Sequence, residues 1–129
     1  MNATMNDWIA VCLVDEIPLL GARRVARAQG APVALFRNAA SKVYALLDRC
    51  PHRGGPLSQG IVMEHGVACP LHNWTIRFAD GCAQAPDEGQ TPGFAVLIDD
   101  SRVHLDAAEL ASKGIALPLP CAGPCGKSV

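Results

Sequence analysis

The chain has 129 residues, half of them apolar, with eleven Lys and Arg against twelve Asp and Glu for a net charge of −1. That length supports one small packed core and leaves no room for a second catalytic domain. The near-neutral charge offers nothing to a polyanion, so nucleic acid is excluded as a partner.

Residues 1–7, Met-Asn-Ala-Thr-Met-Asn-Asp, have no basic start and no long apolar stretch after them. The expectation is a cytoplasmic product with neither a signal peptide nor a membrane anchor. Arg23-Arg24 lies too deep, before a polar segment, to serve as an export signal. From there the dominant pattern is short β-branched and apolar runs separated by turn residues, with little helical periodicity before residue 106. Strands are predicted over 9–14, 23–28, 33–37, 43–47, 60–63, 67–69, 75–78, 94–98 and 102–105. Turns fall at 29–32, 38–41, 64–66, 80–81 and 99–101, where Gly, Pro, Asn, Asp and Ser collect. Segment 106–114 predicts a short helix with Asp106 as N-cap and Gly114 as its stop. The fold class is all-β. Residues 8–105 form the domain, 106–116 a short helical extension, and 117–129 a Pro/Gly/Cys-rich tail expected to be flexible.

Two segments carry the chemistry. Cys50-Pro51-His52-Arg53-Gly54-Gly55-Pro56-Leu57 and Cys69-Pro70-Leu71-His72-Asn73-Trp74 each offer one thiolate and one imidazole. Two loops that each donate one ligand of either kind can clamp a 2Fe-2S cluster, with both thiolates on one iron and both imidazoles on the other. Cys50, His52, Cys69 and His72 are therefore the candidate cluster ligands. Exchanging two thiolates for neutral imidazoles removes negative charge from the oxidised cluster and makes adding an electron easier. Such centres span roughly −150 to +300 mV, against about −400 mV for all-thiolate plant-type ferredoxins. Gly54, Gly55 and Pro56 allow a tight, stiff path whose backbone N–H groups can point at cluster sulfur. Cys2His2 also satisfies a structural zinc ion, although zinc sites more often keep like ligands together, and a colourless protein would favour zinc.

With these two loops the sequence resembles the Rieske ferredoxin family over residues 8–105. The first loop, Leu71 and Asn73 in the second, and Ala85-Pro86-Asp87-Glu88-Gly89 are similar to the small subunit of assimilatory NAD(P)H nitrite reductase. The resemblance implies layered antiparallel sheets with a small cluster-binding subdomain at one tip. It also implies an accessory electron-transfer role in nitrate assimilation. The partner would be a large subunit carrying flavin, a further iron–sulfur centre and sirohaem, which reduces nitrite to ammonium, and this chain would have no activity alone. A ferredoxin serving an aromatic-ring dioxygenase needs the same ligands and is the alternative. High-potential relatives carry a disulfide beside the cluster where this chain has Gly55 and Leu71, and a hydroxyl residue where it has Trp74. Those departures imply a potential at the low end of the range.

The histidines are expected to mark a docking face, with Leu57, Pro70, Leu71 and Trp74 as an apolar collar. Core packing below the loop is the other reading of Trp74. Arg53 is open between a local ion pair and a charge effect on the potential. Cys12 reads as a small buried hydrophobe and Cys82 as a strand residue near a turn. His65 and His104 read as exposed structural residues. Cys121 and Cys125 lie in the tail, where a Cys-x3-Cys pair alone is a weak redox or metal signal.

Overall fold

The computed structural model describes residues 7–51, 55–70, 74–84 and 89–115. Within them run ten strands and one α-helix: β1 (Trp8–Leu13), β2 (Gly21–Val25), β3 (Val33–Arg37), β4 (Val43–Leu47), β5 (Ile61–Val62), β6 (Gly66–Ala68), β7 (Thr75–Arg77), β8 (Gly93–Phe94), β9 (Val96–Asp99), β10 (Arg102–Asp106) and α1 (Ala107–Ser112). They pair antiparallel in three sheets of order β1-β10-β9, β2-β3-β4-β8 and β5-β6-β7. The all-β expectation stands.

Period-two alternation in the middle sheet explains how three small sheets hold together. Val33 and Leu35 of β3, with Ala45 and Leu47 of β4, face a core completed by Cys12, Val103 and Leu105 of the first sheet. Ala34, Phe36 and Leu46 face the other way, into a core completed by Val62, Val67 and Ile76 of the third sheet and by Cys50 and Cys69. A strand covered on both faces needs apolar residues at every position, and Val33-Ala34-Leu35-Phe36 supplies them, all at 0% exposure. Each large side chain so buried contributes on the order of 1.5–3 kcal/mol before the ordering entropy is subtracted.

Strands β3 and β4 lie where the pattern puts them, but neighbouring elements differ. The strand expected at 23–28 runs Gly21–Val25, paired from Gly21↔Arg37 to Val25↔Val33. Arg27 lies beyond it and instead ties the helix to the sheet. Its Nε donates to the Ala31 carbonyl, its Nη1 donates to the carbonyls of Leu110 and Lys113, and its guanidinium lies 5.4 Å from the Phe94 ring centre. The single strand expected at 94–98 is two, because the chain leaves the middle sheet after Phe94 and joins the first at Val96. At the crossing the Ala95 N–H donates to Glu109 Oε1 at 2.8 Å. Two 3-10 turns, Val14–Glu16 and Leu57–Gln59, were not expected from periodicity. The helix is capped as expected: Asp106 Oδ1 accepts from the Ala108 N–H, and Gly114 takes a φ of +72° just beyond it.

The expected turn at 38–41 is organised by Asn38, which is 2% exposed. Its Oδ1 accepts from the N–H groups of Ala40 and Lys42, and its Nδ2 donates to the Glu64 carbonyl, tying the β3–β4 turn to the β5–β6 hairpin. Gly60 enters that hairpin so closely that an added Cβ would lie 2.1 Å from the Ala68 carbonyl oxygen. Both sides of that contact are backbone, so Gly60→Ala should lower stability by about 2 kcal/mol, read as a lower denaturation midpoint. An unchanged midpoint would mean that the hairpin yields freely here.

Candidate functional site

Strand β4 ends at Leu47, and three residues later Cys50 enters the second core. Strand β6 ends at Ala68, and Cys69 follows it directly into the same core. The two thiols are 0% and 2% exposed among Leu57, Val67, Ile76 and Phe78. The backbone repeats one device at each. The Cys50 N–H donates to the Gly55 carbonyl at 2.7 Å, and the Cys69 N–H donates to the Trp74 carbonyl at 2.7 Å. Each bond closes a short loop whose first residue is the cysteine and whose sequence contains one of the two histidines. His52 and His72 themselves, with Arg53, Leu71 and Asn73, lie outside the described residues. Of the four candidate ligands, the structure therefore brings the two cysteines together.

The first loop is secured from beneath by a residue that sequence reading missed. Asp48 is 0% exposed, and its carboxylate is fully engaged. Oδ1 accepts from the Ser58 N–H at 2.7 Å, while Oδ2 accepts from Ser58 Oγ at 2.8 Å and from Arg24 Nε at 2.6 Å. Its own N–H donates to the Pro32 carbonyl. A carboxylate at the end of the apolar run Ala45-Leu46-Leu47, two residues before the candidate ligand Cys50, is the signal that could have exposed it. Charge there is tolerable only with a cation and several donors.

A third segment reaches the first loop. Of 85–89 only Gly89 is described; it has φ +133°, and an added Cβ would come within 3.1 Å of Pro51. The collar expectation needs correction at Leu57, which is wholly buried and offers no contact area. It sits on the 3-10 turn that returns the first loop to the core. Pro70 is exposed, and Trp74 is half-buried against the second core, as its core-packing reading anticipated.

The remaining candidates sort by burial. His65 is 84% exposed, with Nε2 3.8 Å from Glu64. His104 departs from expectation: it is half-buried in β10 opposite Ala10 and Leu97, and its Nδ1 is shielded without a hydrogen-bond partner. Cys12 is buried, and burial pushes its thiol above the ordinary range, with Glu16 adding to the rise and Arg23 opposing it. Cys82 pairs in a bridge with Gln90, its N–H bonded to Asp80 Oδ1. Cys121 and Cys125 lie outside the described residues. A cleft of about 800 Å³ lined by Tyr44, Phe78, Pro92 and Phe94 lies at the start of β4, whereas Cys50 follows its end.

Two cysteines buried in one apolar core, each heading a backbone-closed loop with a histidine in its sequence, are the features of an iron–sulfur domain on a layered antiparallel scaffold. Residues 7–95 match the family model of the Rieske [2Fe-2S] domain, and the chain belongs to that family. Its cofactor is a Rieske-type 2Fe-2S cluster, and its role is electron transfer within an oxidoreductase system. It is 31% identical over 103 residues to the ferredoxin subunit of 3-phenylpropionate/cinnamic acid dioxygenase from Photorhabdus laumondii, covering 77% of this chain and 93% of that one. It is 39% identical over 82 residues to the 4beta-methylsterol monooxygenase of Methylococcus capsulatus, where the match covers 64% of this chain and 21% of the relative. The chain thus aligns with about a fifth of that oxygenase's length. Among solved structures, one provisionally assigned as the small subunit of an NADPH nitrite reductase superposes with a TM-score of 0.69 at 28% identity, covering 78% of this chain and 99% of that one. Among the described residues, no helix is long and apolar enough to cross a membrane.

Among the described residues, burial separates the two cysteines outside the candidate ligand loops, Cys12 and Cys82. Thiolate is the alkylating form, so iodoacetamide at neutral pH followed by peptide mapping should label Cys82 before Cys12. Labelling of Cys12 first would contradict its placement in the core.

Proposed function

We propose that Cys50 and Cys69 ligate one iron of the cluster and His52 and His72 the other, and that this chain relays electrons as the small subunit of an assimilatory NAD(P)H nitrite reductase. The observation that carries the ligand assignment is the paired loop closure, Cys50 N–H to Gly55 and Cys69 N–H to Trp74, with both thiols in one apolar core. That setting fits a cluster: the two cysteines are screened from water, and each loop is closed at its base by a backbone hydrogen bond. When bound, the cluster supplies one-electron transfer. Cys50, His52, Cys69 and His72 would hold it, and the apolar side chains packed around the two thiols would keep water from them.

The nitrite reductase system is supported by the Leu71 and Asn73 signature and by the likeness, over nearly its full length, to the provisionally assigned nitrite reductase small subunit. The partner would then be a large subunit bearing flavin, iron–sulfur and sirohaem centres, in the cytoplasm. A second reading has its own support: the dioxygenase ferredoxin subunit from Photorhabdus laumondii aligns over 93% of its length. In that system the chain would shuttle electrons to a ring-hydroxylating oxygenase.

Natively produced protein should contain two irons and two labile sulfides per chain. Cys69→Ser should abolish or severely reduce the visible bands, whereas zinc in place of iron would end the redox reading. His72→Cys, where it still assembles a cluster, should lower the midpoint potential, because a thiolate adds negative charge to the imidazole-bound iron. An unchanged potential would remove His72 from the ligand set. The system is tested by mixing oxidised protein with the nitrite reductase large subunit and NAD(P)H, and separately with a dioxygenase reductase. Rapid bleaching in the first mixture alone is expected; bleaching in the second alone would favour the dioxygenase reading.

A further inference from the structure

We propose that Asp48 is a positioning residue for the cluster, holding the first ligand loop in its redox-competent shape through Ser58 and Arg24. This rests on the assignment of Cys50 and His52 as ligands. Asp48 stands two residues before Cys50, and Ser58 follows the Gly55-Pro56-Leu57 return of the same loop. The two Ser58 bonds, 2.7 Å from the backbone and 2.8 Å from the hydroxyl, therefore join the entrance of the loop to its exit. Inside that clasp lies a second, narrower one, the Cys50 to Gly55 bond at 2.7 Å. The outer clasp is itself anchored: Arg24 reaches Oδ2 from β2 at 2.6 Å, and the Asp48 N–H is fixed on Pro32 at 2.9 Å.

At the second ligand loop Cys69 follows β6 directly and Trp74 leads directly into β7, so strand pairing holds both of its ends. The first loop joins β4 to β5 across a longer connection, whose exit is a short 3-10 turn with no side-chain cap of its own. A buried carboxylate does there what strand pairing does for the second loop. Burying a charge is costly, and a carboxylate at 0% exposure whose side-chain bonds all go to Ser58 of this loop and to one cation is expected where the loop's shape matters. Arg24 is 46% exposed on its side chain, so the cation remains partly hydrated and the carboxylate's bonds to Ser58 carry the geometry.

The test compares the holoprotein with Ser58→Ala, Ser58→Thr and Asp48→Asn, and with Asp80→Asn as a control that removes one exposed carboxylate paired to Arg77. The readouts are the midpoint potential, the electron paramagnetic resonance spectrum of the reduced cluster, the rate of cluster loss to a chelator, and the thermal midpoint of the fold. Ser58→Ala should lose its cluster about five-fold faster, the equivalent of one hydrogen bond of ~1 kcal/mol. It should also shift the potential and the spectrum, and Ser58→Thr should restore both. Asp48→Asn should shift them further, or fail to retain a cluster while keeping the β-sheet circular dichroism. The Asp80→Asn protein should match the wild type. Wild-type potential and spectrum in Ser58→Ala and in a cluster-bearing Asp48→Asn would overturn the proposal, and if Asp48→Asn does not fold, the Ser58 pair decides alone. Failure of the ligand assignment looks different, since the wild-type protein would then carry zinc or lack labile sulfide.

Discussion

Burial of one strand on both faces is the constraint from which the rest of this structure follows. Strand β3 sends Val33 and Leu35 into one core and Ala34 and Phe36 into another, and β4 repeats the division with Ala45 and Leu47 against Leu46. A sheet with only one apolar face would pair with one neighbour and leave the segments that carry Cys50 and Cys69 without a floor. With two, the first sheet and helix α1 gather on one side, while β5, β6, β7 and both cysteines gather on the other. Separation of the cores lets one carry stability and the other accommodate ligand loops. Cys50 and Cys69 sit at the end of apolar packing that is already complete beneath them.

Polar groups inside this scaffold act as fasteners at the places where strand pairing stops. Asn38 joins the β3–β4 turn to the β5–β6 hairpin, Arg27 joins the end of α1 to the Ala31 turn, and Asp48 joins the two ends of the first ligand loop. Each uses a buried or half-buried polar side chain where backbone ladder bonds are absent, and each meets several partners at once. Such groups cost more when broken than they contribute when intact, because a lone buried donor or acceptor keeps its desolvation penalty. Specificity of loop shape is therefore their principal effect. That suits a centre whose redox properties depend on hydrogen bonds and on exclusion of water.

The family assignment and the particular system stand on different kinds of feature. Membership in the Rieske [2Fe-2S] family follows from the domain as a whole, since its model spans residues 7–95. The particular system is a separate question, because a dioxygenase ferredoxin subunit aligns over 93% of its own length and a provisionally assigned nitrite reductase subunit over 99%. The scaffold is common to both because electron transfer asks only for a held, shielded cluster near a surface. Partner choice is written in side chains that no packing requirement dictates.

The candidate ligand motifs could be picked out without coordinates because metal chemistry restricts residue type and spacing so sharply that Cys50, His52, Cys69 and His72, the proposed ligands, stand out from the chain. Strands β3 and β4 were equally plain, since two-sided burial produces uninterrupted apolar runs. The residues that escaped notice are those whose meaning comes from partners far along the chain. Asp48 reads as an ordinary loop acid until Arg24 and Ser58 are seen around it, and Leu57 reads as a surface collar residue until the 3-10 turn folds it inward. The sheet change after Phe94 was invisible for a related reason: Val96 continues the same alternation, and only Glu109, arriving from the helix, meets the Ala95 N–H at the crossing. By itself, then, the amino-acid sequence determined the fold class and the cluster chemistry, both set by local pattern and ligand type. The tertiary structure alone decided which polar side chains fasten the first loop and which apolar ones are denied to a partner, because both depend on contacts between segments that local sequence does not encode.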